Sequence, residues 1–491
     1  MKTTAAVVIA AFSTSLLISC LVPPVATADE IDYGAAEGLL PSTAEMSQWV
    51  DQLSALGIHS RYGYRMPGTG PDTKGGYYVL DKFNEFGLED TFLEPVPATF
   101  SFPDSWGLKI RAKGKLENIG SYFLRYAAFT PPQGIKAPLV YVGTGSAAEF
   151  DAAGDVSGKI VLVDIIAPPI TVASLAPATL FKYDPANTLV GENATENWPP
   201  INFDSSYALA GDRGAVGYIA VITFMARDNN QYLHWYADGS LPGLSVSPRD
   251  GDYLKGLLSS GPVETTMKLH GREGSGAIYN VYGTLPGKNY GTDADEFLVV
   301  QTHHDGWAAN EASGTSVVLG LAKYFAQFPR ETREKSILFV AMGSHFGKKA
   351  DWSEYDNLAY RLAQQGKVKC AFVVEMIGKQ YKIINGEYVD TGMMSPRGIM
   401  VTVAKPSYPS PLIGIAAAAV IKYQLDRTMG IAIFFGEPTR WNAIGIPTIG
   451  HISQNAPQFS KDDTTQTVMY DALRPTAGAF AEMIQAVDAS F

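Results

Sequence analysis

Along the first part of the chain, apolar positions repeat at helical spacing. Met46, Trp49, Val50 and Leu53 fall three or four residues apart, and Tyr78, Leu80, Phe83 and Phe86 do the same farther on. Thr43 to Gly87 therefore reads as helix, loop, helix, with the loop marked by the turn formers of Arg65-Met66-Pro67-Gly68-Thr69-Gly70-Pro71. Near Ala137 the period shortens. Leu139 to Gly143 and Lys159 to Val163 read as strands, Gly214 to Val221 as a turn into a third, and Leu241 to Val246 leads to a helix over Asp250 to Leu258. From Ala277 strands and helices alternate. Strands are expected at Asp295 to Thr302, Ser336 to Met342, Ala371 to Met376 and Gly398 to Val403. Helices are expected at Ser313 to Phe328, Ser353 to Gln365, Pro411 to Leu425 and Leu473 to Val487.

Such alternation builds an α/β fold with a mainly parallel central sheet and helices on both faces. The expected organisation is a first part at 40–135, a small β-rich insertion at 136–270 and the main α/β domain at 277–491. Pro168 to Ser206 is longer and richer in proline than the insertion needs. It reads equally as a lid or as a surface flap without function. The start reads as a targeting segment over 1–28, with Lys2 before an apolar stretch from Ala5 to Leu21. Ala26-Thr27-Ala28 offers a signal-peptidase site, and Leu17-Ile18-Ser19-Cys20 offers a lipobox that would leave Cys20 lipidated. The expected location is secreted, periplasmic or lipid-anchored outside the cytoplasm, with no membrane-spanning segment after the signal.

Composition narrows the partners. At 491 residues, 46% hydrophobic and 18% charged, the chain can bury a large core and exceeds one compact domain. A net charge of −11 leaves nothing to neutralise phosphates, so no nucleic-acid partner is expected. Cys20 and Cys370 are the two cysteines, so no disulfide framework is expected. Asn193-Ala194-Thr195 is a glycosylation sequon, meaningful in a eukaryotic source.

The candidate chemistry lies just past strand ends, where open α/β sheets bind ligands. His303-His304-Asp305, Asn310-Glu311-Ala312-Ser313-Gly314, Ser344-His345-Phe346-Gly347 and Glu375-Met376-Ile377-Gly378 each sit there. Four of the seven histidines, His303, His304, His345 and His451, are expected to converge at one sheet edge. Tyr232-Leu233-His234-Trp235-Tyr236 either roofs an apolar pocket or packs within its own domain. A Gly-x-Ser-x-Gly elbow, a His-Glu-x-x-His helix, a Cys-x-x-Cys pair and a phosphate-cradling glycine loop are all absent from the sequence.

From Thr43 onward the chain resembles the co-catalytic zinc exopeptidase family that includes aminopeptidase Y, glutamate carboxypeptidase II and the transferrin receptor. The resemblance rests on the order of these motifs, on an insertion like the protease-associated (PA) domain, and on Asn280-Val281-Tyr282-Gly283-Thr284-Leu285-Pro286-Gly287 before the first metal-site strand. It implies a zinc ligand at His303 oriented by Asp305. The family's bridging Asp falls on Asn310, followed by Glu311, and its Glu-Glu pair falls on His345 and Phe346. Its Asp ligand falls on Glu375, and its last His ligand on Phe459, before Ser460-Lys461-Asp462-Asp463-Thr464.

Two close divalent cations need several anionic ligands to screen their repulsion. Asn cannot supply that charge and Phe cannot coordinate, so an ordinary two-zinc site is not expected. Two options stay open for the cofactor, one zinc or none. A single zinc would use His303 or His304 with Glu375 and His345, His303 and Glu375 being the first choices, to give nitrogen and oxygen donors around an open position. Without metal, His345, Glu375, His304 and Asp305 are the candidate catalytic residues, because a histidine with a carboxylate partner moves protons near neutrality. The function classes are three. They are a hydrolase with a rebuilt site, an acid–base lyase, hydratase or isomerase using His345 and Glu375, and a non-catalytic binding protein. The expected partner is a small, partly apolar molecule or a short peptide.

Overall fold

The computed structural model describes residues 38–57, 59–307, 310–343, 345–347, 357–403 and 411–490, at Asn310 for the backbone alone. The targeting segment read at 1–28 and Ser344 lie outside these residues.

The opening helix, Thr43–Ala55, starts where the Ser42 hydroxyl accepts the Glu45 N–H at 3.2 Å, and it buries Met46, Trp49, Val50 and Leu53. That stripe lies on the helix Asn310–Phe325, where Ser316 Oγ donates to the Met46 carbonyl at 2.7 Å. With Leu412–Lys422 and Leu473–Ser490 these helices cover one face of the sheet. Trp441 and Tyr360, from two short helices, stack at 4.2 Å on the other face.

Among the described residues the main sheet has 15 strands. Its centre is parallel, as expected: Ser336–Met342, Phe297–His303, Val368–Ile377 and Thr448–Ser453 run side by side in one direction. Arg397–Val401 follows antiparallel to Thr448–Ser453, then Thr428–Ile431 parallel to Arg397–Val401. Thr428–Ile431 and Thr448–Ser453 escaped the sequence reading because each is short and carries a glycine. On the opposite side the 22-residue strand Glu264–Leu285 pairs with Ser336–Met342 near one end and with Ile135–Tyr141 near the other. One strand thus joins the central strands to Ile135–Tyr141 within the same sheet, and Glu89–Ala112 pairs antiparallel with it nearly throughout. Pro168 to Ser206 is tied into this architecture. Its strand Thr179–Tyr183 closes the sheet edge against Thr428–Ile431, and Asn197 Nδ2 donates to the Ala456 and Gln458 carbonyls at 3.0 and 3.1 Å. Among the described residues no helix is long and apolar enough to cross a membrane.

His451 does not join the other site histidines. It pairs across the ladder with Val374, and successive side chains on a strand alternate faces, so His451 and Glu375 lie on opposite sides of the sheet. Its ring sits 6.4 Å from that of Phe480, and neither ring nitrogen has a hydrogen-bond partner. Burial, followed by the Arg397 charge, holds its pKa well below the usual value. The folded state therefore resists a proton that the unfolded chain takes up below about pH 6.5. The stability contributed by neutral His451 is present above that pH and is lost as pH falls towards the folded value, by about 1.4 kcal/mol per unit. Urea unfolding at pH 7.5 and pH 5 should show the wild type losing about 1–2 kcal/mol more than His451→Leu. Equal losses would remove His451 as a source of acid lability.

Candidate active site

The strand Phe297–His303 ends in two histidines that project to different sides. His304 Nε2 donates to the Tyr279 carbonyl at 2.9 Å, which leaves Nδ1 as a lone pair 3.5 Å from Asp72 Oδ1. Burial pushes His304 down to about 4. Burial, then the Asp305 charge, pushes the Asp72 carboxyl well above its ordinary range. Arg65 Nε donates to the His304 carbonyl at 2.7 Å, and the Arg65 and Gly306 backbones exchange hydrogen bonds at 2.6 and 3.0 Å. His304, a candidate proton-transfer residue from sequence, is therefore packed behind the site against the opening loop, and the structure does not bring it to the other candidates. Two adjacent strand-end residues cannot both face the same pocket.

His303 does face it. Its Nδ1 lies 3.2 Å from Asp305 Oδ1, and its ring stacks on His345 with centroids 4.2 Å apart and planes at 15°. Asp305 also accepts the backbone N–H groups of His345 at 3.2 Å and Phe346 at 2.8 Å. A single buried carboxylate thereby fixes both the ring of His303 and the turn that carries His345. Burial works to raise Asp305 and to lower His303. The bond between them reverses both, holding Asp305 below its ordinary value and, with Glu311, His303 well above. Glu311 Oε2 is 3.1 Å from His303 Nε2 but off the hydrogen-bonding line.

Helix Asn310–Phe325 delivers Glu311 by wedging its first turns between two strand ends. Thr315 Oγ1 donates to the His303 carbonyl at 2.7 Å, and Ser313 Oγ accepts the Ile377 N–H at 2.8 Å. Gly314 lies between these clamps, so close to the sheet that a Cβ there would fall 1.5 Å from the Glu375 carbonyl oxygen.

Glu437 completes the cluster, and the sequence reading missed it. It follows Gly436 at the start of the short helix Pro438–Ala443. The signal was present, a Gly-Glu-Pro just past a strand end, but the strand Thr428–Ile431 before it had not been read. Glu437 Oε1 lies 3.6 Å from His345 Nδ1, and the Glu437 N–H donates to Glu375 Oε1 at 2.9 Å. Gly436 has φ of +63°, and a Cβ there would fall 2.1 Å from Glu375 Oε1, so glycine lets the backbone reach the carboxyl group. Burial would raise both acids. His345 and His303 hold Glu437 below its ordinary value, whereas Glu375, beside the Glu437 charge, is pushed well above.

The wall is aromatic. Phe346 meets Trp307 edge-on at 5.2 Å and Phe459 at 6.0 Å, and His234 packs on Phe459 at 4.7 Å. Trp307, Phe346 and Phe459 belong to the apolar cluster that also holds Leu108, Tyr218 and Leu244. Tyr232 and Trp235 pack within that cluster, Tyr232 meeting Phe459 edge-on at 5.6 Å, and His234 reaches both Phe346 and Phe459. In the site itself His345 is 12% exposed and Glu437 5%, while His303, Asp305 and Glu311 are fully buried. His345 is the most exposed of these side chains.

The donor set does not fit zinc. His303 Nε2 and Glu311 Oε2 face each other without a hydrogen bond and offer two donors. Zinc requires at least three protein ligands. Among the described residues no group of three or more His, Cys, Asp or Glu side chains is gathered to hold a metal ion. Glu375, proposed as a ligand from sequence, accepts the Glu437 backbone N–H at Oε1. Phe346 and Phe459 fill two places that the resemblance gives to a ligand.

Neither a protein-family model nor a curated protein sequence matches the chain. Its fold is similar to that of three solved proteins. An aminopeptidase from Aneurinibacillus sp. strain AM-1 shares 18% identity at a TM-score of 0.57, over 91% of this chain and 95% of that one. The zinc aminopeptidase BSAP from Bacillus subtilis shares 17% at 0.61, over 91% and 95%. A peptidase M28 precursor from Shewanella amazonensis SB2B shares 18% at 0.63, over 93% and 97%. The mainly parallel sheet and its covering helices therefore form a fold similar to that of the zinc aminopeptidases and M28 peptidases.

Proposed function

We propose that the protein is a metal-independent acid–base enzyme that removes water from, adds water to, or shifts a proton within a small, partly apolar molecule. The observation that carries this reading is the position of Glu437, whose carboxylate faces His345 while its N–H holds Glu375. One residue thus links an imidazole backed by a carboxylate to a carboxyl group that keeps its proton. Groups whose proton affinities are driven apart in one site take the base and acid roles. His345 Nε2 removes a proton from carbon, and Glu437 stabilises the imidazolium that forms. Glu375 gives its proton to the departing hydroxyl group, which leaves as water while the electron pair of the broken C–H bond becomes the new double bond. Hydration runs the same steps backwards. The His303–Asp305 pair holds the His345 turn in place.

Peptide hydrolysis fits these residues less well. Its tetrahedral intermediate needs donors or a cation aimed at a developing oxyanion, and both nitrogens of His303 already face carboxylates. A purely binding role would leave a costly set of buried acids without use. The aromatic wall favours an apolar substrate portion, supplied in part by an inserted unit that we read as PA-like over 136–270. We place the protein outside the cytoplasm on the strength of Lys2, the apolar run after it and the processing signals that follow.

The test is isotopic and needs no known substrate. Purified protein is incubated with small hydroxylated and unsaturated compounds in D2O or in water labelled with oxygen-18. The proposed chemistry predicts products that gain one deuterium or one labelled oxygen by mass spectrometry. Cleavage of aminoacyl substrates without such exchange would overturn it.

A further inference from the structure

A buried charge beside the aromatic wall has no acid to answer it. Arg125 is 2% exposed, its Nη1 donates to the Leu233 carbonyl at 3.0 Å, and its Nε has no hydrogen-bond partner. The guanidinium lies over the rings of Tyr236 and Tyr126, at 4.6 and 5.6 Å. The groups that act on it most are the hydroxyls of Tyr64, Tyr236 and Tyr126, and among the described residues no carboxylate pairs with it. A guanidinium cannot shed its proton to escape burial, as an imidazole can. Aromatic faces moderate the cost of burying it but do not neutralise the charge. Two more donors nearby are unspent. The Tyr64 hydroxyl and Trp307 Nε1 are fully buried without a hydrogen-bond partner, and their rings stack at 4.7 Å with planes at 11°. Burial pushes the Tyr64 hydroxyl up, so it keeps its proton, and the Arg125 and Asp305 charges both act on it. Trp307 in turn meets Phe346 edge-on at 5.2 Å. The donors thus lead from Arg125 to the catalytic cluster.

We propose that Arg125, with Tyr64 and Trp307 beside it, receives a carboxylate of the substrate, so that the site acts on a small carboxylic acid. The statement about substrate rests on the proposed acid–base function, whereas the binding of a carboxylate does not. Each unspent group in the set can donate a hydrogen bond, and the guanidinium fork matches the two oxygens of a carboxylate. Water could accept from the same donors, but it brings no charge. Chloride brings charge without the planar pair of oxygens, and without an apolar remainder for Phe346 and Phe459 to cover. A carboxylate fixed at Arg125 directs the rest of the molecule along Phe346 towards His345, whose ring meets Phe346 edge-on at 4.8 Å. Neutral compounds of the same shape are disfavoured, because they leave the buried donors and the charge unpaired.

Thermal unfolding and calorimetric titration of the full-length protein with benzoate and butyrate, against benzamide, butyramide and chloride at one ionic strength, test it. Each carboxylate should raise Tm by about 2 °C or more at concentrations where its amide and chloride do nothing. Tyr64→Phe keeps the ring on Trp307 and loses the hydroxyl alone, so it should weaken carboxylate binding about tenfold. Arg125→Met should abolish it. Crystals soaked in 4-bromobenzoate should show the carboxylate against Arg125 and an anomalous bromine peak towards Phe346. Equal shifts from acids, amides and chloride, or a soaked carboxylate held away from Arg125, would overturn the proposal. Acid-selective binding without isotope exchange on any hydroxylated or unsaturated acid would sink the proposed function and keep the carboxylate site. The wild-type comparison of acid with amide decides the matter even if Arg125→Met fails to fold.

Discussion

Replacement of His345 by alanine is expected to lower turnover by about two to four orders of magnitude while leaving the fold intact. His345 is the most exposed member of the cluster at 12%, it is backed by Glu437, and its ring lies flat on His303. The substitution removes the proton-transfer ring but keeps the backbone N–H that Asp305 accepts, so the turn remains held. The melting temperature should change little, because most of the packing in the wall comes from Phe346, Phe459 and Trp307. Glu375→Gln should also be damaging, since an amide cannot deliver the proton that the buried carboxyl keeps. Steady-state rates with a substrate found by isotope exchange measure both effects. Near-normal activity in both variants would leave the assigned roles without support.

The largest expected effect on stability belongs to Gly314→Ala. A Cβ at this position would lie 1.5 Å from the Glu375 carbonyl oxygen, 2.5 Å from its carbon and 2.6 Å from the Val374 carbonyl oxygen. All three are backbone atoms of a central strand, so nothing flexible can give way. The helix would have to lift from the sheet, breaking the Ser313 and Thr315 clamps with it. A loss of more than about 3 kcal/mol, or failure to fold, is expected, at the upper end of overpacking costs. Gly256→Ala is the control. Gly256 lies in the helix Pro248–Ser260 and has nothing within 4 Å of its added Cβ, so alanine there should stabilise by up to about 1 kcal/mol. Urea unfolding of both variants measures the contrast, and a Gly314→Ala protein within about 1 kcal/mol of wild type would contradict the close approach.

Much of this architecture was legible because long amphipathic and β-branched segments declare their period. Met46 to Leu53 and Leu473 to Val487 are helical stripes in sequence and in structure, and Ser336 to Met342 matches its strand end to end. Short strands were not legible. Thr428–Ile431 is four residues with a glycine inside it, and missing it hid Glu437, the residue that links the two proton-handling groups. Spacing along the chain also cannot say which way a strand-end side chain turns. His303 and His304 look equivalent in sequence, but Tyr279 and Arg65 capture one side of the pair and Asp305 the other. His451 lies within Thr448–Ser453, a strand the sequence did not declare, and alternation along it turns the ring to the face opposite Glu375. The resemblance puts His303, Asp305, His345 and Glu375 just past strand ends, and in the structure Asp305 holds His303 and the His345 turn while Glu437 faces His345 and holds Glu375.

Metal analysis of the purified full-length protein, before and after exhaustive chelation, tests the central claim most directly. The account predicts well under one equivalent of zinc per chain, with melting temperature and proton-exchange activity unchanged by chelator. About one or two equivalents of tightly held zinc, lost together with activity on chelation and restored on adding zinc back, would contradict it.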